Sequence, residues 1–257
     1  MYRNPFAEIF LYHNLLHHMS NNLIKGSDEA EFAKPLYVPI KRRSFFMYAG
    51  ATAGATALLL SGCDDDDSGG SNSNSVSLGS GDVGVLNYAY ALEQLEAAFY
   101  AQVIATPYTG ITTDERTALT AISKHEAIHR DFFKAAITAA APTQIIPGLT
   151  PDFSKINFAD RTQVLTAAKT FEDLGVGAYN GAGALIQSGT YLLLAGKIVS
   201  VEARHAAYIR DLLTPGSFSG SDVVNAAGLD QALPVATVLA AAQTYIKETI
   251  NGDNVGK

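Results

Sequence analysis

Two tetrads constrain this chain more than any other feature: Glu126-Ala127-Ile128-His129 and Glu202-Ala203-Arg204-His205. Each is a Glu-x-x-His inside a long stretch of helical periodicity. On a helix, residues three apart share a face, with Cβ atoms about 5–6 Å apart. One helix can therefore aim a carboxylate and an imidazole at the same metal ion. A single tetrad arises readily by chance; two of them, 76 positions apart, do not. Each also follows an acidic residue about 30 positions upstream, on what reads as the preceding helix: Glu93 or Glu96 before the first, Glu172 before the second. One glutamate from each of two helices and Glu-x-x-His from each of the other two is how a four-helix bundle holds two metal ions among carboxylates.

The helices are read from apolar spacing and stop signals. From Val83 to Ile104, Leu86, Tyr90, Leu92, Leu95, Phe99 and Val103 fall close to a 3.6 period, with Asp82 as the expected N-cap and Pro107 beyond the end. A second helix runs from about Thr113, capped by Thr112 or Thr113, to about Ala141. A third spans about Asp160 to Gln187, and a fourth about Tyr191 to Leu213. A fifth is expected from Leu233 to Ile250, with Pro234 in its first turn, where the missing N–H is harmless. No stretch reads convincingly as a strand. The first two helices are joined by roughly eight residues and the third and fourth by about three, so each pair is antiparallel. Between the pairs lie about eighteen residues, Pro142 to Ala159, with three prolines. Extended, these reach up to about 60 Å, more than the roughly 36 Å length of a 24-residue helix. The fold expected is all-α: a four-helix bundle with one long crossover and a C-terminal fifth helix.

The two halves read as a duplication. Residues 92–100, Leu-Glu-Gln-Leu-Glu-Ala-Ala-Phe-Tyr, align with 171–179, Phe-Glu-Asp-Leu-Gly-Val-Gly-Ala-Tyr. This register pairs Glu93 with Glu172 and Tyr100 with Tyr179. Counting back 30 residues from Glu126 selects Glu96 instead, so Glu93 ranks first and Glu96 stays as an alternative ligand or a supporting carboxylate.

Together with His-Glu-x-x-His at 125–129 and Glu-Ala-Arg-His at 202–205, these motifs resemble the ferritin-like superfamily over about residues 82–213. Within it they resemble bacterial ferritin-like proteins with twin-arginine signals, relatives of plant desiccation-associated proteins. The resemblance implies metal ligands at Glu93 (or Glu96), Glu126, His129, Glu172, Glu202 and His205. It implies a di-iron or di-manganese centre for iron oxidation, peroxide reduction or related O₂ chemistry, of ferroxidase, peroxidase or catalase type. Beyond the metal ligands no separate catalytic residue is expected. Tyr100 and Tyr179, matched in the repeat, are the expected hydrogen-bond partners of ligand carboxylates; Tyr88, Tyr90 and Tyr208 are read as packing. His125 adjoins Glu126 but points about 100° away from it, toward solvent or a partner helix. Two histidines and bridging carboxylates favour a redox-capable pair of ions over structural zinc, which favours cysteines.

The first third of the chain reads as a processing region. Lys41-Arg42-Arg43-Ser44-Phe45-Phe46 is a twin arginine followed by aromatics, and Met47 to Leu60 is an uncharged run too short to span a bilayer comfortably. Leu60-Ser61-Gly62-Cys63 resembles a bacterial lipobox. Residues 1–62 are thus expected to be a twin-arginine lipoprotein signal, with Met19 an alternative start and Cys63 the lipidated first residue. That places the mature chain at the outer face of the cytoplasmic membrane, in the periplasm or cell envelope. Cys63 is the only cysteine, so no intrachain disulfide can form. Residues 63–81, Asp-, Ser-, Gly- and Asn-rich, are expected to be a disordered tether of roughly 25 Å reach, and 82–257 the helical domain.

From Cys63 onward 12 Lys and Arg stand against 21 Asp and Glu, a net charge of −9. Without a basic patch or an arginine-rich recognition helix, nucleic acid is excluded as a partner. A membrane-tethered chain is poorly placed to build a closed storage shell, so a monomer or dimer is expected. The competing reading is non-catalytic: a structural or stress-protection bundle with a vestigial metal site.

Overall fold

The computed structural model describes residues 75–257. The twin-arginine region, Cys63 and the aspartate run after it lie outside the described residues. Four long helices form the bundle: α1 (Gly81–Ala105), α2 (Thr113–Ala140), α3 (Arg161–Gly183) and α4 (Gly189–Leu213). Helices α1 and α2 pack as one antiparallel hairpin and α3 and α4 as another, with α1 against α3 at the centre. The structure is the ferritin-like helical bundle expected from the sequence.

The starts of α2, α3 and α4 are fixed by local chemistry. Thr112 and Glu115 form a reciprocal capping box at α2: the Thr112 hydroxyl accepts from the Glu115 N–H, and the Glu115 carboxylate from the Thr112 N–H. Asp160 caps α3 and Ser188 caps α4. Arg161 donates to Glu115 from two guanidinium nitrogens, at 2.8 and 2.5 Å, and to the carbonyl of Leu212. One side chain therefore ties the starts of α2 and α3 to the end of α4. At the opposite end, Asp82 is a latch instead of the expected N-cap. Ser80 holds the cap position, and the Asp82 carboxylate accepts from the N–H groups of Gln187 and Ser188, joining α1 to the α3–α4 turn.

The crossover runs alongside α1 for its whole length. Asn87, fully buried near the start of α1, donates to the carbonyls of Leu78 and Gln144 and accepts from the N–H of Ile146. Further along, Gln94 accepts from the Leu149 N–H. Phe99 then packs edge-on against Phe153 and Phe171, with ring centroids 5.7 and 5.0 Å away, and lies beside Phe158. At the far end the Thr109 N–H reaches the Ala159 carbonyl. Buried along most of its length before the last turn, α1 is apolar around most of its circumference, as a largely buried helix must be.

The flanking segments depart from the sequence expectations in two places. The fifth helix is short: α5 covers Val235–Ala242, and the chain continues as a 3₁₀ turn, Gln243–Tyr245. There the Gln243 amide donates to the carbonyls of Ile246 and Glu248 and accepts from the Ile250 N–H, replacing helical hydrogen bonds. Residues Thr249–Asn251 then form β2, a parallel strand against β1 (Ser75–Ser77). The expected disordered tether therefore does not extend to Gly81: residues 75–77 are strand and Leu78 is fully buried in the core. Just upstream of α5, Leu233 lies against α3, donating its N–H to the Gly177 carbonyl. A Cβ at Gly181 would fall 1.9 Å from the Leu233 carbonyl oxygen, so only glycine permits this approach. Among the described residues no helix is long and apolar enough to cross a membrane.

Candidate metal centre

The helical hairpins bring four carboxylates and two imidazoles to the middle of the bundle. Glu93 comes from α1, Glu126 and His129 from α2, Glu172 from α3, and Glu202 and His205 from α4. All four carboxylates have zero exposure and both histidines are buried. The arrangement has approximate two-fold symmetry. His129 Nδ1 lies 2.7 Å from Glu202, 3.4 Å from Glu126 and 3.6 Å from Glu93. His205 Nδ1 lies 2.8 Å from Glu126, 3.5 Å from Glu172 and 3.5 Å from Glu202. Two candidate ligand groups result: Glu93, Glu126, His129 and Glu202, and Glu126, Glu172, Glu202 and His205. Glu126 and Glu202 belong to both, offering a different oxygen to each imidazole.

Short as these distances are, the imidazole nitrogens do not align with the oxygens as hydrogen bonds. His129 Nδ1, His205 Nδ1, Glu93 Oε2, Glu172 Oε2 and both oxygens of Glu126 and Glu202 are buried without a hydrogen-bond partner. These are eight polar atoms converging on a shared interior. The remaining oxygens of Glu93 and Glu172 are held from behind. Tyr100 of α1 donates to Glu172 Oε1 of α3 at 2.6 Å, and Tyr179 of α3 donates to Glu93 Oε1 of α1. Every oxygen of the four carboxylates thus faces the interior unpaired or is fixed by a tyrosine.

Electrostatics makes this cluster untenable as bare anions. Burial, reinforced by Glu202, pushes Glu93 well above the usual carboxylate range, and burial pushes Glu172 up to about 8. Burial alone would raise Glu126 as well, but its contacts with His129 and His205 override this and hold it at about 2. Burial would lower both imidazoles; their carboxylate neighbours outweigh it and push each up to about 12. Burial keeps the Tyr100 and Tyr179 phenols protonated, and the adjacent glutamates add to it, so both remain donors. Protons thus balance the metal-free cluster. Two divalent cations would balance it instead, since four ionised carboxylates carry a charge of −4. The donor set, four inward atoms per position drawn from carboxylate and imidazole, fits two transition-metal ions and leaves coordination positions free.

Glu96 lies outside both ligand groups. It is buried, raised well above the usual range by burial and then by Glu202, and it fills the space opposite Gly175. A Cβ on Gly175 would come within 3.1 Å of Glu96 Oε1. The repeat aligns these two positions with each other, so only one of them can carry the carboxylate. His125 also belongs to neither group, yet it is not idle. Its Nδ1 lies 2.9 Å from His205 Nε2, and the two rings meet edge to edge, with centroids 5.1 Å apart and planes 9° from parallel. Helical spacing correctly turns His125 away from Glu126, but nothing local in the sequence reveals that it meets the outer nitrogen of His205. Tyr88 is buried with its hydroxyl unpartnered, Tyr90 is buried, and Tyr208 is exposed. Between α2 and α4 a cleft of about 340 Å³, lined by His125, Ile128, His129, Val201, Arg204 and His205, opens onto the two histidines.

A helical bundle that turns two Glu-x-x-His tetrads and two tyrosine-held glutamates toward one buried interior has the layout of a candidate carboxylate-and-histidine metal centre. A family description for the ferritin-like domain matches residues 81–215, just over half of the chain. The chain belongs to that ferritin-like family. A search of curated proteins finds no match.

Proposed function

We propose that this chain is a membrane-tethered protein with a di-iron or di-manganese carboxylate centre that serves metal oxidation or O₂ and peroxide chemistry in oxidative or desiccation stress. The observation that carries the reading is the set of eight buried, inward-facing ligand atoms without hydrogen-bond partners. Native proteins satisfy buried polar atoms almost without exception, so eight together mark a place built for cations. Glu126 and Glu202, which belong to both ligand groups, would serve both ions, with Glu93 and His129 completing one set and Glu172 and His205 the other. When bound, a pair of such ions supplies two electrons, or accepts two, at one small substrate molecule.

The chain's own residues prepare that site. Tyr100 and Tyr179 hold Glu172 and Glu93 in fixed orientations, so ligand geometry is set before metal arrives. The packed faces of α1 and α3 keep water from the carboxylates, while the cleft between α2 and α4 gives a small molecule a path to the histidine side. Tethering would come from lipid on Cys63, carried by the twin-arginine and lipobox-like sequences, and the assembly would be a monomer or dimer.

The test compares O₂ and peroxide consumption by the iron- or manganese-loaded mature protein with that of His129→Ala and Glu202→Ala. Turnover in the wild type and its loss in both variants is the expected result. A wild type that binds metal yet consumes no oxidant would favour the structural bundle instead.

A further inference from the structure

The pseudo-two-fold symmetry of the site is broken beside its two histidines. Aligning Glu126 with Glu202 pairs His129 with His205 and His125 with Val201. The outer nitrogen of His205 therefore meets a second imidazole, whereas the corresponding side chain next to His129 is a valine. The direction of the His125–His205 hydrogen bond follows from the geometry. His205 Nδ1 faces Glu126 and Glu172 on the metal side, where it must offer a lone pair when a cation is bound. Its one remaining proton then sits on Nε2, and His125 Nδ1, 2.9 Å away, must accept it. His125 in turn carries its own proton on Nε2. An acceptor behind a ligating imidazole fixes its tautomer and raises its basicity; removing such partners typically costs about 10–100-fold in metal affinity.

We propose that His125 is a positioning residue that fixes His205 as its Nε2–H tautomer and thereby makes the His205 metal position the tighter of the two. This rests on the metal-binding reading above and adds an order of filling to it. His125 is exposed on α2 and its hydrogen-bond partner is a single imidazole, His205, so its replacement should leave the bundle intact. Two variants separate hydrogen bonding from packing. His125→Val reproduces the residue at the symmetry-related position and removes the acceptor. His125→Asn places a carbonyl oxygen close to where Nδ1 stood and keeps it.

The experiment has two arms. In the metal-free full chain, ¹⁵N-edited NMR should show an exchange-protected His205 Nε2–H in the wild type and in His125→Asn, and its loss in His125→Val. With manganese(II) as the probe, titration followed by electron paramagnetic resonance should resolve two binding steps in the wild type. His125→Val should weaken the first step about 10-fold or more and bring the two steps together, and His125→Asn should restore their separation. The inference is overturned if His125→Val keeps the protected resonance, if it leaves the first step unchanged, or if His125→Asn behaves like His125→Val. No manganese binding in the wild type would sink the metal reading itself, while the NMR arm would still decide whether His205 Nε2–H donates to His125.

Discussion

Three buried tyrosines give an internal comparison of what a hydroxyl does in this bundle. Tyr179 donates to Glu93, Tyr100 donates to Glu172, and Tyr88 has no hydrogen-bond partner. All three are almost completely buried, so each Tyr→Phe change deletes one oxygen from a similar setting. A hydrogen bond to a charged group contributes about 1.5–3 kcal/mol, and one between neutral groups about 1 kcal/mol. In the metal-loaded protein Glu93 and Glu172 are ionised, so Tyr179→Phe and Tyr100→Phe should each weaken manganese binding about 10–100-fold, or about 1.4–2.7 kcal/mol. In the metal-free protein, where Glu93 and Glu172 are held above the usual carboxylate range, each should cost only about 1 kcal/mol. Tyr88→Phe removes an unsatisfied buried hydroxyl. It should stabilise by about 1 kcal/mol, raise Tm by about 2–4 °C and leave metal affinity unchanged. Chelator competition for manganese and thermal melting, with and without metal, measure all of this. Unchanged affinity in both Tyr179→Phe and Tyr100→Phe, or an equal loss in Tyr88→Phe, would refute the assignment of those hydroxyls to ligand positioning.

Other consequences are equally open to test. Because Glu172 holds its proton up to about 8 when folded but only to about 4.5 when unfolded, the metal-free protein should lose stability as pH rises between those values. His129 and His205, raised to about 12, add stability that is full below about 6.5 and is lost as pH climbs above it. Melting of the metal-free chain from pH 5.5 to 8.5 should therefore fall, while manganese affinity rises over the same range because binding must displace these protons; a metal-free Tm that climbs would contradict this. Gly181→Ala should destabilise by several kcal/mol or displace the 233–242 segment from α3, since its Cβ would collide with the Leu233 backbone; melting and limited proteolysis report it. Cys63→Ser should move the chain from the membrane fraction to the soluble one, as fractionation would show.

The cluster of the candidate metal centre was legible from sequence because helix geometry converts spacing directly into shared faces. Glu126 with His129, and Glu202 with His205, needed only the three-residue repeat, and the internal duplication ranked Glu93 above Glu96. Matched tyrosines at 100 and 179 pointed to the hydroxyls that hold the carboxylates. Interactions that depend on distant segments were not visible. The stripe from Val235 to Ile246 reads as helix, but Gln243 captures the backbone and residues 249–251 pair with a strand more than 170 positions away. Composition marked residues 64–81 as polar, yet a single Leu78 suffices to anchor their end in the core. Asp82 looked like a cap because caps are local; its partners at Gln187 and Ser188 come from the other hairpin. His125 likewise found its role only across the bundle.

Metal stoichiometry on purified mature chain bears most directly on the central claim. Elemental analysis after loading with manganese or iron and removal of free metal should give two ions per chain, and His129→Ala should retain about one, held at the His205 position. Added metal should raise the wild-type melting temperature, since a ligand at 100 times its Kd contributes about 2.7 kcal/mol per site. Folded wild-type protein that carries no metal and melts at the same temperature with or without it would contradict the account.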